Sequence, residues 1–175
     1  MKTKILLALI VGLYCHTFGQ TNIVKTLPTG NESRIIYSKS ERTFRVEMPD
    51  HNSSLNQFHK GEVFKKGFSF EAEQWVKVIG FFNEFLDYSN TLEDNKITNF
   101  SKTLGKVLSH SADGFGGITL EFTIQVGSQG ESKLLLEETH DNFSSPALIV
   151  MDRSEARNAS ELIKLVPEIQ KESAN

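Results

Sequence analysis

Ile118-Thr119-Leu120-Glu121-Phe122-Thr123-Ile124-Gln125-Val126 alternates apolar and polar side chains without a break. Successive side chains of a strand point to opposite faces, so this stretch puts its apolar residues on one face and its polar ones on the other. It reads as a half-buried strand whose inner face contributes about 8 to 15 kcal/mol of gross burial, at about 1.5 to 3 kcal/mol per large side chain. Gly127-Ser128-Gln129-Gly130 follows. Glycine accepts the positive φ of a tight turn, so Lys133 to Thr139 should return antiparallel beside the first strand.

A second hairpin is expected from Arg34 to Tyr37 and Thr43 to Met48, where Phe44, Val46 and Met48 face one way and Arg45 and Glu47 the other. Trp75, Val78, Ile79, Phe82, Phe85 and Leu86 recur at three- and four-residue spacing, which predicts an amphipathic helix with Ser69 as its N-cap. Phe68, Phe70, Ala72, Val76 and Val78 also alternate as a strand would, and Gly80 costs a helix about 1 kcal/mol, but helix is the preferred reading. Between Ile97 and Leu108 the positions of Phe100, Leu104, Val107 and Leu108 suit a helix, whereas the Thr, Asn and Ser content favours a strand, which we expect. Ala147 to Met151 is a short apolar run. Asp152 with Glu155 then forms a capping box, Ala159, Leu162, Ile163 and Val166 a buried stripe, and Pro167 a stop or kink.

These segments predict an α+β chain: one domain, with an antiparallel sheet of about five to seven strands covered on one face by two helices. The domain should run over 34–170, preceded by a flexible arm over 20–33 and ending in a frayed tail over 171–175. No internal repeat is evident. Pro28, Pro49, Pro146 and Pro167 are too scattered to mark a linker.

The first nineteen residues form a unit of another kind. Lys2 and Lys4 precede an apolar run from Ile5 to Tyr14, and Thr17 and Gly19 supply the small side chains that signal peptidase requires. About ten apolar residues are too few to cross a bilayer core, for which roughly twenty are needed, so cleavage before Gln20 is expected and no transmembrane segment in the mature chain. Lipidation at Cys15 is the alternative, disfavoured because the bulky Tyr14 stands where a lipobox has a small residue. The leader resembles the export signals of Bacteroidetes. That resemblance implies a periplasmic or secreted protein and covers the leader alone.

Cleavage leaves 156 residues and removes the only cysteine, so packing without disulfides must hold the domain together. It also leaves 17 basic against 22 acidic residues. No basic block stands out, since the densest stretch, His59-Lys60 with Lys65-Lys66, is interrupted by Glu62. A polyanion needs clustered cations to displace its counterions, so nucleic acid is not an expected partner.

His51, His59, His110 and His140 show no paired spacing of the kind zinc demands, so no metal and no other cofactor is expected. If the chain is an enzyme, His110, Asp113 and His140 are its acid and base groups, with Asp141 nearby, because all fall at predicted strand ends where loops could meet. The competing reading is that they are solvated loop residues. Gly127-Ser128-Gln129-Gly130 lacks the spacing of a serine nucleophile elbow, and the glycines of Asp113-Gly114-Phe115-Gly116-Gly117 precede a strand rather than open a helix. Glu121 and Glu137-Glu138 are the nearest candidates for paired carboxylates, against the reading of solvent-facing charges. Phe81 lies off the helical stripe and, with Phe82, is the candidate for a ligand-binding surface. Asn31, Asn52, Asn99, Asn142 and Asn158 open Asn-x-Ser sequons, which matter only in a eukaryotic secretory pathway.

The expected function is therefore a non-enzymatic binding or interaction module of the cell envelope. Its partner would be a protein, a glycan or a small apolar ligand held between sheet and helices. A small secreted hydrolase is the alternative.

Overall fold

The computed structural model describes residues 22–28, 32–51, 63–109, 117–140 and 147–174. The leader over 1–19 with Cys15, and also His59, His110, Asp113 and Asp141, lie outside these described residues. The chain is a single α+β domain built from the same unit laid down twice: a four-stranded antiparallel meander, then a helix. The first sheet has the order β1 (Asn22–Thr26), β2 (Arg34–Ser38), β3 (Thr43–Pro49), β4 (Lys65–Glu71). A single 3₁₀ turn, Ala72–Gln74, leads into α1, Trp75–Asp94. The second sheet has the order β5 (Phe100–Ser109), β6 (Ile118–Val126), β7 (Ser132–His140), β8 (Ala147–Met151), followed by α2 (Arg153–Ile163) and the short α3 (Val166–Ser173).

The α+β class and the antiparallel pairing are as expected, but one sheet of five to seven strands is not what forms. Among the described residues eight strands divide equally, because the chain leaves β4 for a helix of twenty residues before β5 begins. Nor do the helices cover one face of one sheet. α1 packs on β5 and β7 of the second sheet, while α2 touches β2 and β3 of the first as well as β7 and β8. The two helices also pack on each other, so they form a layer shared by both sheets.

Rings thread this layer. Tyr37 and Phe44 stack at 4.6 Å and Phe44 and Phe70 at 5.7 Å along one register row of the first sheet. Phe68 stacks on Phe82 of α1 at 5.7 Å, and Phe82 meets Phe122 of the second sheet edge-on at 5.9 Å. Offset and edge-to-face contacts at these separations suit the aromatic quadrupole. The space between sheets and helices is thus filled by side chains.

Three local corrections have physical causes. Part of the stretch 20–33 expected as a loose arm is β1, an edge strand that alternates exposed and half-buried residues against β2. Ser69 is not a helix cap but a β4 residue opposite Arg45, so the strand-like alternation of Phe68 and Phe70 was the true signal there and the helix begins at Trp75. Lys171 to Ser173, expected to fray, belong to α3, which Lys25 of β1 holds through Glu168 at 3.1 Å and Glu172 at 2.7 Å. The hydrogen bonds that Lys25 donates to Glu172 and then Glu168 raise its pKa above the ordinary value. A raised lysine adds stability that is complete below its unfolded value and lost only as alkali titrates the folded form.

The capping box is as expected. Asp152 Oδ1 accepts from the Glu155 N–H at 2.8 Å, and Glu155 Oε2 accepts from the Asp152 N–H at 3.0 Å, so two orphan donors at the start of α2 are satisfied reciprocally. Asp152→Ala should lower the unfolding free energy by about 1 kcal/mol, read as a shifted urea midpoint with an unchanged slope.

Candidate functional site

The ends of β3, β4 and β8 meet the capping box of α2 around a half-open groove of about 520 Å³. Asp50, Lys66, Lys133, Leu148, Val150 and Glu155 are among its lining residues. Lys66 organises it. Its alternation in β4 matches Phe68 and Phe70, which carries the stem toward the inner face at the sheet's end, and only 12% of the side chain is exposed. The ammonium lies 2.7 Å from Glu155 Oε1 and 4.0 Å from Asp50 Oδ1, and it donates to the Val150 carbonyl at 2.9 Å. Glu155 therefore serves the helix cap with one oxygen and the lysine with the other.

β8 is the outermost strand of the second sheet and, among the described residues, pairs only with β7, while β4 of the first sheet approaches it. Its outer side chains are aliphatic and open, with Leu148 56% and Val150 38% exposed. The half-buried Leu135 stands opposite Val150 on β7 and widens the patch. The groove thus combines an apolar strip, charges of both signs and an outward backbone edge. An exposed strand edge of that kind can take up an extended chain.

His110 and Asp113 are outside the described residues, and His140 ends β7 opposite Ile118. Phe82 is fully buried. Phe81 is half-buried: it covers Gly105 and lies 5.1 Å from Phe122. The cause is the shared helical layer: α1 buries a wider arc than a helix resting on one sheet would, and Phe81 falls within it. Glu121 stands opposite Glu137 on neighbouring strands, but Lys106 meets Glu121 at 2.5 Å, a solvent-facing ion pair that raises the lysine's pKa above the ordinary value. Among the described residues no three His, Cys, Asp or Glu side chains converge as metal ligands would, and no helix is long and apolar enough to cross a membrane.

The first sheet's outer face carries a charge cluster that the sequence did not announce. Arg34 meets Glu47 at 2.7 Å and Arg45 meets it at 2.9 Å. Glu47 leans over Gly67, where an added Cβ would run into the Val46 carbonyl, so only glycine leaves that space. Burial pushes the Glu47 carboxyl up, and the hydrogen bonds from Arg34 and Arg45 outweigh it, leaving the group below its ordinary value. A depressed carboxylate adds stability that is present above its unfolded value, about 4.3, and lost as pH falls through the folded one. Glu47→Gln should therefore lower stability at pH 7 and flatten its decline below about pH 4, checked by urea titrations across that range.

No family model matches this chain. No curated protein matches it either. Among solved structures it is similar to a chain described as "Crystal structures of trypanosoma bruciei MRP1/MRP2", at 10% identity over 97% of this chain and 96% of that one, with a TM-score of 0.35. A likeness at that level carries no argument.

Proposed function

We propose that the chain is an exported, non-enzymatic interaction module of the cell envelope that engages a protein partner along the edge of β8. The observation that carries this reading is that edge: unpaired on one side among the described residues, aliphatic on its exposed face and bordered by a groove of mixed charge. An extended partner can add to such a strand, drawing affinity from main-chain hydrogen bonds and specificity from alternate side chains. A protein is favoured over a glycan because every aromatic ring among the described residues is at least partly buried, which leaves no open ring there for a sugar to stack on. Export rests on the leader, with removal before Gln20.

The test is made in envelope fractions of cells producing the full chain. Under native electrophoresis it should migrate in an assembly heavier than a monomer, and Leu148→Lys or Val150→Lys should release it. A chain that migrates as a monomer, or an assembly indifferent to both substitutions, overturns the reading. Mass spectrometry of the same material should give Gln20 as the first residue; Met1 still attached, or an acyl group on Cys15, overturns the proposed processing.

A further inference from the structure

Which partner fits the edge follows from the direction of its backbone groups. The Val150 carbonyl accepts from Lys66, so it points away from β7. In an antiparallel strand the N–H and C=O of one residue point to the same side, and the side alternates along the chain. Leu148 and Val150 therefore both present donor and acceptor outward, while Ile149 turns its own toward β7. Among the described residues only the Val150 carbonyl of this set has a partner beyond the sheet.

We propose that the occupant is a second copy of this chain, paired β8 to β8 about a two-fold axis at Ile149; this rests on the reading of β8 as the contact edge. An antiparallel strand centred on Ile149 sets Leu148 opposite Val150 of its copy, and Val150 opposite Leu148. Both are outward residues, so each such pair exchanges two hydrogen bonds, four in all. A one-residue slip would oppose outward groups to inward ones and make none. The same register stacks Leu148 against Val150 of the copy on the outer face and covers the aliphatic strip that each monomer leaves open.

Charge points the same way. The groove holds Lys66 and Lys133 together with Asp50, Asp152 and Glu155. A rim of both signs is compatible with its own image under a two-fold axis, whereas a rim of one sign would repel it. Lys66 must yield the Val150 carbonyl to the incoming N–H. It keeps Glu155 at 2.7 Å, so its charge stays paired. The product is one continuous sheet of eight strands with β8 no longer an edge, which removes the liability of an exposed aliphatic strand.

Sedimentation equilibrium of the purified protein carrying Cys15→Ser tests this over roughly 1 to 100 μM, a range that resolves ordinary reversible dimers. The expected result is a dimer that Leu148→Lys or Val150→Lys weakens by about tenfold or more, with the thermal midpoint little changed. Should Val150→Lys unfold the chain, Leu148→Lys at the more exposed position carries the comparison. Ile149→Cys in the same background should cross-link two copies on oxidation, because residues facing each other in such a pair have Cα atoms about 4.5 Å apart. A monomer at every concentration, a dimer that neither lysine variant weakens, or no cross-link at position 149 overturns the proposal. If the purified chain is monomeric while its envelope assembly still dissolves with the lysine variants, self-pairing fails and a foreign partner stands. If the envelope assembly is indifferent too, both readings fail.

Discussion

Phe82→Ala should cost about 3 to 5 kcal/mol, at the upper end of what single core substitutions do, and for a domain whose total stability is about 5 to 15 kcal/mol that is close to unfolding. The reason is position rather than size alone. Phe82 has no exposed surface, stacks on Phe68 of the first sheet at 5.7 Å and meets Phe122 of the second at 5.9 Å. Truncation therefore opens a cavity at the point where both sheets rest on α1, and neither sheet can close it without leaving the other. Phe85, also fully buried on the same helix, provides the comparison. If the junction matters as argued, Phe82→Ala should lower the urea midpoint at least as far as Phe85→Ala. A cost below about 1.5 kcal/mol, the range of a tolerated volume-conserving swap, would show that the two sheets are not coupled through this ring.

What the sequence revealed follows from the range of each signal. Period-two alternation is local, so β6 and its return through Gly127-Ser128-Gln129-Gly130 were legible to within a residue or so. The start of α2 was legible for the same reason, since a capping box spans only three residues. β5 was harder because its register shifts between Thr103 and Gly105. Before the shift Phe100 and Lys102 face inward, opposite Val126 and Ile124; after it Val107 and Ser109 do. A bulge moves the buried set from even to odd positions, so Phe100, Leu104, Val107 and Leu108 imitate a helix. Lys102, polar yet inward, reaches α1 and donates to Glu84 at 2.8 Å and Tyr88 at 2.7 Å.

The division into two sheets was not legible at all. Alternation says that a segment is a strand and is silent on its partner. The doubled sheet-and-helix unit likewise leaves no trace in residue identity, because packing constrains hydrophobicity and volume more than exact side chains. The groove is invisible for a related reason. Lys66 and Glu155 meet at 2.7 Å although 89 positions separate them, and one lysine of the Lys65-Lys66 pair at a strand's start looks like any solvated charge. Phe81 looked spare only on the assumption that α1 rests on one surface.

Gly105 is where that doubly buried helix meets the bulge, and Gly105→Val should be the most damaging change to any glycine of the second sheet, at about 2 to 5 kcal/mol. Two costs combine. The residue sits at φ +156°, a conformation that side-chain-bearing residues rarely adopt, which costs about 1 to 3 kcal/mol. An added Cβ would also lie 2.6 Å from Phe81 Cζ, and the ring cannot simply swing away because Phe122 backs it at 5.1 Å. The two costs can be separated by a cycle with Phe81→Ala, which removes the obstructing ring and leaves the backbone as it was. If the clash contributes, the cost of Gly105→Ala should fall by about 1 kcal/mol or more in the Phe81→Ala background, since touching residues are not additive. An unchanged cost would assign the whole effect to the backbone. Gly105→Ala costing less than about 0.5 kcal/mol in the parent chain would mean that β5 abandons its bulge without penalty, and the bulge could then no longer be what fits the second sheet to the helix across it.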